Sequence, residues 1–335
     1  MPEKQIQEYL FQRIKEALPP GKPLVETIAE VLHVSQDSAY RRIRGETLLV
    51  LEEAKLLCQQ YNISLDQLLN LSGNSVVFRN IELNSTISDF TIYLKGILHE
   101  LKNLATCEQR SIYYITIDIP FFYQFCYQPM FAFRYFFWMK SVAEHPDFAH
   151  RKFSLDCLPQ ETKAIGKEIL RLYCQIPSVE IWNTECVNGM LTQLAYYQEA
   201  GIVKKEEAMS VYGAIRQTVE HLQVQAEYGT KFIPGENPQA KKQNFQLFQN
   251  RVGLGDNTIL TSGNGSKKLY LNYDALSYMT TTDEAFCNMA QQQLKTITRR
   301  STLISNVGEK HRNIFFNHLF KKIPSPNKQV VKRVS

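Results

Sequence analysis

Apolar residues at four-residue spacing open the chain: Ile6, Leu10 and Ile14 line one helix face, Ala17 and Leu18 extend it, and Pro19 and Pro20 stop it. Beyond the turn at 19–23, Leu24, Ile28, Val31 and Leu32 form a second short stripe, with small Ala29 where a neighbouring helix has to approach closely. His33, Val34 and Ser35 read as a turn in which Val34 faces inward and Ser35 accepts from the first amides of a third helix. That helix spans residues 36–44 and ends at Gly45, which adopts the left-handed conformation without steric cost. Projected at 100° per residue, Ala39 and Ile43 share its inner side, while Asp37, Arg41 and Arg44 point outward beside Ser38 and Tyr40. Leu51, Ala54, Leu57, Cys58 and Tyr61 supply the inner face of a fourth helix. Ser64 and Gln67 make a capping box for a fifth, ending near Leu69.

Residues 71–75 (LSGNS) break the pattern and read as a linker. After it come an expected strand at 76–83, a helix at 87–104, a buried β-branched and aromatic strand at 112–119, and an aromatic helix at 121–143. Helices are expected at 160–175, 183–200, 204–228, 283–297 and 309–322, with a short strand at 302–305. The run Ser-Gly-Asn-Gly-Ser between residues 257–261 and 267–273 predicts a hairpin. The fold class expected from this pattern is mainly α: a five-helix bundle over 1–70, the linker at 71–75, a larger helix-dominated α+β domain over 76–322, and a basic tail at 323–335.

The outer face of helix three is not the Glu/Lys mixture that serves solubility alone; it offers an Arg fork, a Tyr hydroxyl and short hydrogen-bonding side chains, groups that reach bases and phosphates. Charge adds little to this. The whole chain is +5, and residues 1–70 carry eight Lys and Arg against ten Asp and Glu, a net −2. Non-specific attraction to DNA is therefore weak in this module, and the case rests on local geometry. Residues 284–335 are +8, which suits either a solvated tail or phosphate contact.

Residues 24–69 resemble the helix-turn-helix domain of the Cro/phage-repressor (Xre-like) superfamily, closest to versions in Bacteroidetes transcriptional regulators with a long C-terminal domain. The resemblance rests on the I-A-x-x-L-x-V-S spacing of residues 28–35, the S-A-Y-R-R-I-R-G-E run of residues 38–46, and I-S-L-D-x-L-L at 63–69. It implies that Gln36, Asp37, Ser38 and Arg41 read base edges and that Tyr40, Arg42 and Arg44 hold the backbone, with Ser35 completing the contact set. The expected partner is double-stranded operator DNA. Two positions depart from the pattern: His33 stands where Gly is usual, and Val25 where a phosphate-anchoring Gln is usual.

Elsewhere chemistry is sparse, and no catalytic residue, metal site or cofactor is expected. Asp118 follows a strand but reads as a turn former. His311 and His318 share a helix face without partners, and Gly253, Gly255, Gly263 and Gly265 do not open a helix as a phosphate loop would. Seven cysteines without a C-x-x-C pair read as free thiols. The charged N-terminus does not resemble a signal peptide, and Gln124, Gln128, Pro129 and Arg134 interrupt the most membrane-like stretch at 119–139, so a cytoplasmic location without membrane contact is expected. The aromatic run 121–143 is apolar all round; it fits a domain core first, a dimer interface or a ligand-pocket wall otherwise. The functional expectation is a transcriptional regulator and not an enzyme, homodimeric through its C-terminal domain, since the apolar residues of 1–70 are used inside the bundle. That domain would also sense a small-molecule or protein effector. Two other readings stay open: an enzyme brought to DNA by the N-terminal module, and a protein-interaction module.

Overall fold

The computed structural model describes residues 3–19, 21–61, 63–65, 68, 76–81, 87–238, 242–251, 255, 257–272 and 277–324. The chain divides into two compact units, Met1–Phe78 and Arg79–Ser335. In the first, four helices are described: α1 (Glu3–Ala17), α2 (Leu24–Leu32), α3 (Gln36–Ile43) and α4 (Leu51–Gln60). They close around Leu10, Phe11, Ile14, Ile28, Leu32, Ala39, Leu57 and Cys58. Most of the expected fifth helix, including Gln67, the whole linker 71–75 and residues 325–335 of the tail lie outside the described residues.

The second unit corrects the expected fold class. An eight-stranded mixed sheet runs through it, and the protein is α+β rather than mainly α. The strands are β1 (Arg79–Ile81), β2 (Arg110–Thr116), β3 (Ser178–Trp182), β4 (Phe245–Gln249), β5 (Thr258–Gly263), β6 (Ser266–Asn272), β7 (Tyr278–Thr281) and β8 (Thr302–Leu303). Their order is β1-β7-β6-β5-β2-β3-β4-β8, with β2, β3 and β4 parallel and every other pairing antiparallel. β3, β4 and β7 were not expected. Each is five residues or fewer, and β3 carries a glutamate in its middle, so period-2 apolar patterning is faint in all three. The hairpin turns at Asn264 and Gly265, both at positive φ (49° and 88°), the backbone that a two-residue type I′ connection requires.

The alternation of the strands assigns two faces. Ile112, Tyr114, Trp182, Phe245, Leu247 and Ile259 enter a large core with α5 (Ile87–Thr106), α6 (Gln128–Phe137), α7 (Gln160–Gln175), α8 (Asn188–Glu199), α9 (Lys205–Tyr228) and α11 (Glu309–Lys322). Ile115, Ile181, Leu260 and Leu269 face the other way and are covered by α10 (Glu284–Arg299) through Cys287 and Leu294. The aromatic run is not one helix. It is a 3₁₀ turn at Phe121–Phe125, then α6 with Pro129 in its first turn, then a π turn at Trp138–Val142. Proline starts the helix here because its missing N–H is one that a first turn leaves unpaired in any case. Phe121, Phe122, Phe125, Phe131, Phe133, Phe136 and Trp138 are buried in the chain's own core, so the surface offered for dimerisation is not a surface.

At the centre of the sheet Glu180 is fully buried on β3, facing the large core. Its Oε1 accepts from Tyr123 (3.1 Å), Tyr173 (2.5 Å) and Ser178 (3.0 Å), and its Oε2 from the Trp182 indole (3.1 Å). Four donors on one carboxyl suit the ionised form, while burial pulls the other way and raises its pKa. The Lys231 ammonium, also buried, sits 3.8 Å from the Tyr173 ring centre and has no hydrogen-bond partner among the described residues. Burial lowers its pKa to about 8, against the attraction of Glu180.

Candidate nucleic-acid interface

α2 and α3 are joined by a three-residue turn whose geometry follows from its residues. His33 takes the left-handed conformation (φ 54°, ψ 43°) that ends α2, standing in for the usual glycine, and Val34 N–H returns to the Ala29 carbonyl at 3.1 Å. Ser35 is extended and caps α3, its hydroxyl accepting from Ser38 N–H at 3.2 Å. Ala39 is completely buried, which lets α3 sit closely on the rest of the unit. Beyond α3, Gly45 turns at φ 68°. Gln7 of α1, itself buried, then pins the following loop: its amide donates to the carbonyls of Arg42 (2.7 Å) and Thr47 (2.8 Å), and its Oε1 accepts from Leu49 N–H (2.9 Å).

The eight residues singled out in the sequence fall into two groups. Ser35, Gln36, Asp37, Tyr40, Arg41 and Arg44 are exposed along one side of the turn and α3. Arg41 is held loosely by Asp37 (3.1 Å), Arg44 by Glu46 (3.4 Å), and the Arg44 guanidinium lies 5.5 Å from the centre of the Tyr40 ring. Exposed pairs of this kind contribute little to stability and exchange partners readily. Arg42 and Ser38 differ. Arg42 forms a two-pronged, largely buried pair with Glu53 of α4 (Nε to Oε2 3.0 Å, Nη2 to Oε1 2.7 Å), and its Nη1 donates to the Ser38 hydroxyl (2.6 Å) and carbonyl (3.2 Å). That hydrogen-bonded pairing lowers the Glu53 pKa and raises that of Arg42. Arg42 thus clamps α3 to α4. Ser38 accepts from Arg42, which leaves its own O–H available as a donor.

Sequence reasoning missed Gln7 and Glu53, the two side chains that set the pose of α3. Glu53 stands in the first turn of α4, where an acid is favoured by the helix dipole alone, so nothing marked it as a partner. It also misplaced Leu51, which is 67% exposed rather than inward; Leu48 and Val50 beside it in sequence are exposed too.

The other residues considered for chemistry lie in the second unit. Asp118 is half-buried after β2, close enough to Gly189 that a Cβ there would sit 2.5 Å from its Oδ1. Burial raises its pKa, partly offset by Arg134. Arg134 is itself buried, donates to Gln124 (2.9 Å) and Gln193 (2.5 Å), and is brought down to about 10 by desolvation. His311 and His318 are exposed. No cluster of three or more His, Cys, Asp or Glu that could hold a metal occurs among the described residues. Gly263 ends β5 and Gly265 turns the hairpin, while Gly253 lies outside the described residues. No described helix is long and apolar enough to cross a membrane. No protein-family model, curated protein or solved structure matches the chain.

Proposed function

We propose that the protein is a sequence-specific transcriptional regulator that places α3 in the major groove of operator DNA. The observation that carries this reading is the division of labour on α3. Its inner side is fixed by buried Ala39 and the Arg42–Glu53 clamp, and its outer side presents Gln36, Asp37, Tyr40, Arg41 and Arg44 to solvent with only loose partners. A helix fixed on its inner side and presenting an exposed row of donors and acceptors suits base readout. Gln36, Asp37, Ser38 and Arg41 are the proposed base readers. Tyr40 and Arg44 meet phosphates as a stacked pair, and Arg42 acts by holding the helix in place. The second unit would join two copies on a pseudo-palindrome and couple binding to an effector. A protein-contact role for the first unit is the second reading, favoured by exposed Leu48, Val50 and Leu51.

A salt titration of the full chain on duplex DNA tests the regulator reading. Binding should weaken steeply with salt, because each phosphate contact releases counterions. Arg44→Ala should weaken binding evenly across sequences and reduce the slope of log K against log salt by about 1. Salt-independent binding, or an unchanged slope in the variant, would favour the protein-contact role.

A further inference from the structure

A cavity of about 630 Å³ lies between α5 and the β2, β5, β6 and β7 strands of the sheet. Ile97 and Leu101 of α5, Ile112, Phe122 and Ile259 make its depths apolar. Asn103, Thr261, Ser266 and Lys267 also line it, and an ion pair joins α5 to β6 across it. The Lys268 ammonium meets Glu100 Oε1 at 2.9 Å, and the Tyr270 hydroxyl donates to Glu100 Oε2 at 3.3 Å. Gly96, on the same face of α5 one turn before Glu100, also lines the cavity. A Cβ built there meets no atom within 4 Å, and its φ is not in the left-handed region, so neither crowding nor backbone requires glycine. The missing side chain keeps the rim open.

We propose that this cavity is a binding site for a small, mainly apolar molecule bearing one uncharged hydrogen-bond donor, such as a hydroxyl, which Glu100 accepts. The size is that of ligand sites rather than of packing defects, which in close-packed interiors seldom exceed a water molecule. The walls select an apolar body by removing it from water. The head group follows from charge: Lys268 is paired with Glu100, and Lys267, the other cation of the lining, donates to Asn288, so an anionic head would have to displace one of these contacts beside the Glu100 carboxylate, while a cationic head would meet both lysines. A neutral donor suffers no such penalty, because each Glu100 oxygen has a lone pair to spare. A role for the site as effector pocket rests on the regulator reading, but the binding itself does not.

The test uses the full chain, calorimetry without DNA, and two ten-carbon probes that differ only at the head, decan-1-ol and decanoate. Decan-1-ol should bind one per chain, at least tenfold more tightly than decanoate. Gly96→Phe places a ring in the mouth, and it should abolish decan-1-ol binding while leaving the melting temperature at or above that of the unsubstituted protein, since phenylalanine is a better helix former than glycine. Should that variant melt lower, Gly96→Leu makes the same measurement with a smaller side chain. Glu100→Gln should narrow the preference for the alcohol over the acid. Absence of saturable decan-1-ol binding, equal or tighter binding of decanoate, or undiminished binding in the plugged variants overturns the proposal. A DNA-binding failure leaves each of these outcomes readable.

Discussion

Replacing Glu180 with leucine should destabilise the second unit by about 3–5 kcal/mol, the cost typical of removing one member of a buried charged network. The carboxyl sits on the middle of three parallel strands with no exposure, and it is the acceptor for two tyrosine hydroxyls, a serine hydroxyl and an indole N–H. Leucine offers none of them an acceptor, and unmade hydrogen bonds in a core cost the full desolvation of the donor. It also leaves the Lys231 ammonium buried without the carboxylate that attracts it. The double substitution Glu180→Leu with Lys231→Met should therefore be more stable than Glu180→Leu alone, a non-additivity that marks direct coupling. Urea unfolding followed by tryptophan fluorescence reads both, because Trp182 and Trp138 lie in this core. A cost under about 1 kcal/mol for the single substitution, or strict additivity, would show that the network is dispensable.

Ala39→Arg should unfold or loosen the first unit and abolish DNA binding with it. Ala39 has no exposure and is surrounded by the few buried side chains that hold α1 to α4 together. Forcing extra methylenes into such a site costs about 1–3 kcal/mol, and a guanidinium without a partner adds more. A small core has little stability in reserve. The second unit provides an internal control: its unfolding transition should keep its midpoint while that of the first unit falls or vanishes in calorimetry. An unchanged transition for the first unit would mean that α3 is turned differently from the geometry described above.

What the sequence conveyed divides by range. α2, α3 and their turn are local, written in Leu24, Ile28, Ser35, Ala39 and Gly45 within two dozen residues, and so are the Asn264-Gly265 hairpin and the long helices α7, α9 and α11. β3 was hidden because its central residue is Glu180, a charge that argues for a loop unless Tyr123, Tyr173 and Lys231 are known to surround it. Missing β3 and β4 removed the parallel centre of the sheet and with it the fold class. The same limit applies to the sites. The exposed row on α3 could be read from a helical wheel, but Arg42 looked like another member of that row until Glu53, eleven residues on, took it. Leu51 fitted the stripe of α4 by spacing and yet is exposed, since a stripe fixes an angle about the axis and not where the neighbouring helices stop. The cavity was illegible: its walls come from residues as distant as Ile92 and Thr282, and no local pattern encodes their meeting.

The central claim, that α3 reads DNA, is tested most directly by selecting duplexes from a random pool with the full chain and with its Arg41→Ala variant. The fork of Arg41 fits the O6 and N7 of guanine, a contact worth about 1–3 kcal/mol of discrimination. Arg41 is exposed and bound only loosely to Asp37, so its removal should leave the fold unchanged. The account predicts an enriched pseudo-palindrome with half-sites about 34 Å apart, one helical turn, and a variant that selects the same site with its preference relaxed at one base pair of each half. Enrichment of no sequence by the unsubstituted protein, or of an identical site with undiminished preference by Arg41→Ala, would contradict it.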